Sequence, residues 1–141
     1  MDEVEVAYAS DIDPSELQCA GRMAKLFNVQ HKMKFKTASV FDVDVANIDA
    51  IICSPPWGGS SYLAGVYDLG QMEPNYNKIL EHCSKITKNI AVLMPRNIGV
   101  DQVAESAKAA GFSGVEVELN LLADKVKTTT LYYGDLINHC K

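Results

Sequence analysis

Ser54-Pro55-Pro56-Trp57 is the stretch whose residue types and order could do chemistry. Two successive prolines remove two backbone donors and fix the chain direction. The Ser54 side chain and a nearby carbonyl are left as acceptors for an N–H, and the aromatic offers a face on which a planar base can stack. Such a rigid, water-poor ledge suits methyl transfer to an amino nitrogen on a base. That chemistry asks mainly for positioning, because a sulfonium methyl donor is already activated. Ser54, Pro55 and Trp57 are therefore the candidate catalytic residues. The structural alternative, a proline-rich turn around a core tryptophan, is disfavoured by Gly58-Gly59, which lets the backbone swing away and leaves the indole face open. Trp57 is the single tryptophan. A cationic base on it would gain cation–π energy on top of stacking, about 1–3 kcal/mol in all. Tyr62 is placed to join the same clamp.

Other polar residues gather where strands end. Asp11 closes the first predicted strand and can accept hydrogen bonds from ribose hydroxyls. Asp13 precedes Pro14, which marks it as a helix cap, so Asp11 is the better ligand. Asp42 follows the next strand and would reach the exocyclic amine of an adenine; a turn-capping role is its alternative. Arg96, just past a later strand, is placed to meet an anionic group such as a phosphate. Lys125 and Lys127 would add positive charge from the terminal hairpin.

The elements that must hold these residues can be read from patterning. Val4–Ser10 alternates and reads as a strand ending at Asp11. Asp13-Pro14-Ser15-Glu16 is a helix start, with apolar positions recurring to Phe27 and a stop near Asn28. Met33–Ala38 is a second strand. Asp49–Ser54 is an apolar run that reads as a strand buried on both faces. A loop follows to about Met72, then a helix over Pro74–Ile86, a strand over Asn89–Met94 and a helix over Asp101–Ala110 stopped by Gly111. Val115–Leu122 and Val126–Tyr133 read as an antiparallel hairpin turning at Ala123-Asp124-Lys125. The expected fold is α/β, one domain over residues 1–141, with a mostly parallel sheet and an antiparallel edge. Ligands of such sheets bind at the carboxyl ends of the strands, where Asp11, Asp42, Ser54 and Arg96 fall.

Composition bounds the alternatives. The chain has 141 residues, 48% of them hydrophobic, and 13 Lys plus Arg against 18 Asp plus Glu give a net charge of −5. That fits a globular domain rather than a disordered tail. No apolar run approaches the ~20 residues of a membrane helix, and the acidic start does not read as a signal peptide. A pI of about 5.1 argues against affinity built on broad phosphate neutralisation. The four cysteines form no Cys-x-x-Cys clip. His82-Cys83 and His139-Cys140 are neighbours in sequence whose side chains diverge, so reduced thiols and no metal are expected. No Gly-x-Gly-x-x-Gly follows a strand, which disfavours a nicotinamide dehydrogenase.

Along nearly its whole length the chain resembles the trimethylguanosine synthase family, the cap hypermethylases of small nuclear and nucleolar RNA. The resemblance is carried by Ala9-Ser10-Asp11-Ile12-Asp13-Pro14, by Ser54-Pro55-Pro56-Trp57-Gly58-Gly59 with Tyr62, by Lys85–Ile90 and Met94-Pro95-Arg96-Asn97, and by Asp101–Ala104 and Tyr133–Leu136. It implies a Rossmann-like S-adenosylmethionine-dependent methyltransferase fold and methylation of N2 of a 7-methylguanosine cap on snRNA or snoRNA, in the nucleus (nucleolus or Cajal body) or the cytoplasm. Trp57 would stack on the base with Tyr62 beside it, and Ser54 would lie next to the target amine. Asp11, Ile12, Asp42 and Ser54 would contact the cofactor, while Arg96, Asn97 and Lys127 would meet the capped RNA. The family's fold starts with a strand and a glycine-rich turn, and this chain starts after them. The expectation is thus a sheet lacking its first strand, which would lie between the strands at Val4–Ser10 and Asp49–Ser54 and be completed by an upstream segment or a partner chain. Other readings are a non-catalytic cap- or partner-binding derivative, and an amino-methyltransferase acting on another base or on protein glutamine.

Overall fold

Asp13 begins the first helix as its position before Pro14 requires. Its extended backbone turns the chain, and its carboxylate accepts from the Ser15 amide at 2.8 Å. The computed structural model describes residues 4–58 and 65–138. Within it the chain divides into two units, Met1–Asp44 and Val45–Lys141.

The first unit is a β-α-β element. Strand β1, Ala7–Asp11, leads into helix α1, Pro14–Leu26, which returns the chain to strand β2, Met33–Thr37. The two strands pair in parallel, Ala7 with Met33 through Asp11 with Thr37. The alternation of Tyr8 and Ser10 against Lys34 and Lys36 puts these four on one face. Tyr8 receives the Lys34 ammonium both over its ring, at 5.0 Å, and at its hydroxyl.

The second unit holds a four-stranded sheet in the order β3-β4-β6-β5. Strand β3, Ile51–Cys53, runs parallel to β4, Ile90–Pro95. Strand β6, Lys125–Tyr133, lies antiparallel to β4 and to β5, Glu116–Leu122. Helices α2, Tyr76–Ile86, and α3, Val100–Ala109, complete the unit. Central β4 is buried at five of its six positions. Over the second half of β6, alternate residues Thr129, Leu131 and Tyr133 are buried. The hairpin turns on Ala123 and Asp124, with φ of 49° and 60°. Two positive φ values in a two-residue loop match the right-handed twist of the strands they join.

The α/β class, the parallel pairings and the terminal hairpin match the sequence expectation. The expectation that β3 is buried on both faces does not hold: Ile52 is 87% exposed. Among the described strands β3 pairs only with β4, and it presents Ile51 and Cys53 inward, so Ile52 points to a side that no described residue covers. β1 likewise pairs only with β2 among the described strands.

Three strand ends in the second unit meet at Asn89. Its carbonyl accepts from Ile51, its Nδ2 donates to Asp49 O at 3.2 Å and its Oδ1 accepts from the Asp135 amide at 2.9 Å. Gly134 sits against this knot with φ +66°, and a Cβ there would lie 2.3 Å from Lys88 O and 2.8 Å from Asn89 Oδ1. Only glycine fits both the dihedral and the space.

Candidate active site

In the first unit, the carboxylates divide their work as the proline suggests. Asp13 is committed to the helix: the Ser15 hydroxyl and amide both donate to it and hold its carboxyl below the usual value. Asp11 is half-buried at the carboxyl end of β1, and its Oδ1 accepts from the Asp13 amide at 2.8 Å. Its Oδ2 takes no donor among the described residues and remains an acceptor for a hydroxyl. Ile12, next to it, is 76% exposed and offers an apolar surface. Asp42 lies in a short helical turn, Val40–Asp42, started by Ser39. The carboxylate is exposed, and its carbonyl accepts from Lys36 at 3.1 Å. An acceptor for ribose hydroxyls, an apolar neighbour and a further carboxylate past β2 suit a nucleoside.

In the second unit, Ser54 is exposed immediately after β3 and Pro55 is buried. Pro55 thus plugs the ledge into the body while Ser54 stays accessible. Trp57 is half-buried, and its Nε1 donates to Leu93 O on β4 at 3.2 Å. That bond satisfies the indole's polar edge and fixes the ring's orientation. Tyr62 lies outside the described residues.

Arg96 is exposed past β4, and its Nη1 approaches Val126 O on β6 at 3.5 Å. Pro95 pairs with Thr128, so the register brings Arg96 alongside exposed Lys127. Thr129 makes this strand end possible. Its buried hydroxyl lies 3.1 Å from Pro95 O and 3.4 Å from Met94 O, satisfying carbonyls at the end of β4.

Asn97 follows Arg96 and is bonded to the segment that starts at Gly65. Its Nδ2 donates to Gly65 O at 2.6 Å, and its carbonyl accepts from the Tyr67 amide at 2.8 Å. Gln102, which lies in the Asp101–Ala104 stretch but takes no role from the sequence, adds two more bonds to the same segment. A glutamine in a helical pattern is simply a good helix former, so no local signal marks it.

In the core of the second unit, Tyr76 and Tyr133 share a hydroxyl–hydroxyl hydrogen bond of 2.5 Å, both fully buried. Burial pushes Tyr133 up to about 12 and Tyr76 well above its ordinary value. Burial also raises the Cys53 thiol to about 11 and, helped by Cys53, the Cys83 thiol to about 12. Cys53 adjoins Ser54, yet it is a neutral thiol at physiological pH and not a nucleophile. The structure thus gathers Ser54, Pro55, Trp57, Arg96 and Lys127 about one end of the second unit's sheet. It gathers Asp11, Ile12 and Asp42 past the strands of the first unit.

Residues 2–135 match the sequence pattern of a family described as RNA cap guanine-N2 methyltransferase. The trimethylguanosine synthase of Saccharomyces cerevisiae is 29% identical over 110 residues, covering 72% of this chain and 35% of that one. The chain therefore spans about a third of the length of this curated relative. Among solved structures, a putative O-methyltransferase of Nostoc punctiforme aligns with a TM-score of 0.65 at 14% identity, covering 92% of this chain and 45% of the other. The magnesium protoporphyrin IX methyltransferase of Synechocystis, solved with bound S-adenosylmethionine, gives 0.63 at 10% identity, with 92% and 60% covered. At these identities the structures establish the fold alone.

Proposed function

The chain belongs to the RNA cap guanine-N2 methyltransferase family, and on that premise we propose that its site serves methyl transfer from S-adenosylmethionine to N2 of a 7-methylguanosine cap. The carrying observation is the ledge itself: exposed Ser54, buried Pro55, and an indole held to β4 by the Trp57–Leu93 hydrogen bond. When bound, S-adenosylmethionine supplies an electrophilic methyl group on a positively charged sulfur.

The chain's own residues supply binding and orientation. Trp57 stacks on the methylated base, whose positive charge strengthens the contact by cation–π attraction. Ser54 and the Pro55 carbonyl accept hydrogens of the exocyclic amine, which fixes the nitrogen lone pair toward the methyl group. Nitrogen is a competent nucleophile toward a sulfonium once aligned, so orientation is most of what the protein must provide. Arg96 and Lys127 meet the cap phosphates, where two adjacent cations suit a polyanion on an otherwise acidic chain. Asp11 accepts from the cofactor ribose, Ile12 covers an apolar face of the nucleoside, and Asp42 accepts from the adenine amine. Small nuclear and nucleolar RNA are the proposed cap carriers, with the nucleus or cytoplasm as the compartment.

Titration of Trp57 fluorescence with 7-methylguanosine triphosphate against GTP tests the base assignment. The methylated nucleotide should bind about tenfold more tightly, since the added positive charge is worth about 1–2 kcal/mol on an indole face. Equal quenching by both nucleotides refutes it. Calorimetry with S-adenosylmethionine tests the transfer assignment: a retained cap preference with no heat identifies a cap-binding derivative.

A further inference from the structure

The connection between β3 and α2 leaves along Ser54–Gly58 and comes back along Gly65–Leu69. The returning leg is fastened at every second residue. Asn97 Nδ2 donates to Gly65 O at 2.6 Å. Asn97 O accepts from the Tyr67 amide at 2.8 Å, and Tyr67 and Ile98 form an isolated parallel bridge. Gln102 Nε2 reaches Tyr67 O at 3.4 Å, and Gln102 Oε1 accepts from the Leu69 amide at 2.9 Å. A strand partner would satisfy backbone groups in this alternating way; here one main-chain bond and two side-chain amides share that task.

Gln102 is the third residue of α3, after Gly99, Val100 and Asp101. A glutamine at that position ordinarily reaches back to cap its own helix. Gly99 offers no side-chain cap, and the Gln102 amide turns outward to the loop instead. Gly99 keeps the lane open: a Cβ there would lie 2.9 Å from Gln102 Nε2 and 3.3 Å from Val66 Cγ1. Glycine is tolerated at a helix start, but the loss of the Gln102 cap is not explained by α3 alone.

We propose that Asn97 and Gln102 are positioning residues, two amides that staple the returning leg Gly65–Leu69 to the start of α3 and thereby hold the ledge on the leaving leg in its binding geometry. Neither need touch the substrate. A loop fixed at its return loses less freedom when a ligand docks on its outgoing side, so the staple acts through pre-organisation. The link to Trp57 rests on the cap reading above; the staple itself does not.

The test pairs residue-resolved amide exchange with the Trp57 titration in Gln102→Ala and Gln102→Glu. Glutamate keeps an acceptor for the Leu69 amide and loses the donor to Tyr67 O. Gln102→Ala should speed Leu69 exchange roughly three- to tenfold, the worth of one net hydrogen bond, with Val92 and Leu93 unchanged. It should weaken binding of 7-methylguanosine triphosphate by a similar factor. Gln102→Glu should leave Leu69 exchange within about twofold of wild type. Should Gln102→Ala fail to fold, Gly99→Ala is the substitute, crowding the same amide and speeding Leu69 exchange. Unchanged Leu69 exchange, or an equal rise across β4, overturns the staple. Unchanged nucleotide affinity in a variant whose Leu69 amide has opened overturns the link to Trp57. If the wild type itself shows no preference for the methylated nucleotide, the cap reading falls and Leu69 exchange alone decides the staple.

Discussion

The two units are built from the same strand and helix vocabulary but pack very differently. In the first, Ala24 is the one described side chain that counts as buried. Tyr8, Ile12, Met23, Leu26, Phe27 and Phe35 all keep more than a third of their surface in contact with solvent. In the second, Tyr76, Leu80, Ile90, Met94, Leu131 and Tyr133 are almost wholly enclosed. Apolar residues do not make a core by being present; they must face one another across two layers. The first unit has two strands and one helix, so a single helix stripe meets one face of a narrow sheet and encloses little. The difference bears on the site: the carboxylates proposed for the nucleoside stand on the lightly packed unit, and the ledge proposed for the base stands on the densely packed one.

The largest effect that would sharpen this contrast is a core truncation in the second unit. Leu80→Ala, at a residue 1% exposed, should lower the unfolding free energy by about 2–5 kcal/mol in a urea titration. A cost under about 1 kcal/mol would mean the second unit can collapse around the hole and is not the rigid body described.

Alkaline titration comes next. Tyr76, Tyr133, Cys53 and Cys83 are all shifted upward by burial. Above the ordinary values of 9.0 and 10.0 the unfolded chain releases protons that the folded second unit retains. Stability is therefore intact below about pH 9 and falls as pH climbs toward 12, each group removing about 1.4 kcal/mol per pH unit between its two values. Tyr133→Phe removes one of these groups, so the fall should be shallower, while the stranded Tyr76 hydroxyl costs about 1–3 kcal/mol at neutral pH. An unchanged alkaline slope would break the argument that burial sets these values.

Effects in the first unit should be smaller and local. Asp13→Ala should speed exchange of the Ser15 amide on the order of fivefold and leave β4 untouched. Smallest is Phe35→Ala, at a residue 38% exposed, which should cost under about 1 kcal/mol. A loss matching Leu80→Ala would show that the first unit has a core after all.

Much of this was legible in the residues. Asp13-Pro14 announces a helix start through mechanisms that act within four residues, and the cap bonds are there. The hairpin shows in the alternation of β6, because a strand packed on one face must alternate. The place of its turn shows as well, at Ala123-Asp124-Lys125, but not its conformation: Ala123 carries no preference for φ of 49° and is carried there by the strands on either side. The ledge is legible because Pro-Pro and a lone tryptophan act through their own covalent shape. Ile52 was misread because an apolar run states what a strand can bury, and not whether a neighbour arrives to cover it. The bonds of Asn97 and Gln102 do not show in the sequence for the opposite reason, since their partners at Gly65, Tyr67 and Leu69 lie some thirty residues away. Thr129 was hidden likewise, with its acceptors at Met94 and Pro95 on another strand.

The knot at Asn89 has a consequence for how sequences of this kind can diverge. Gly134 is closed to any side chain by the Lys88 carbonyl, and Asn89 binds Asp49 and Asp135 through separate atoms. A lineage cannot alter position 134 first and repair it later, because the intermediate would push apart the starts of β3 and β4 and the end of β6 at once. Positions 89 and 134, whose residue types the junction requires, should change together or stay still, whereas positions 49, 88 and 135 contribute main-chain atoms and can vary. Comparing them jointly across related chains, rather than column by column, would show whether the junction travels as one heritable unit.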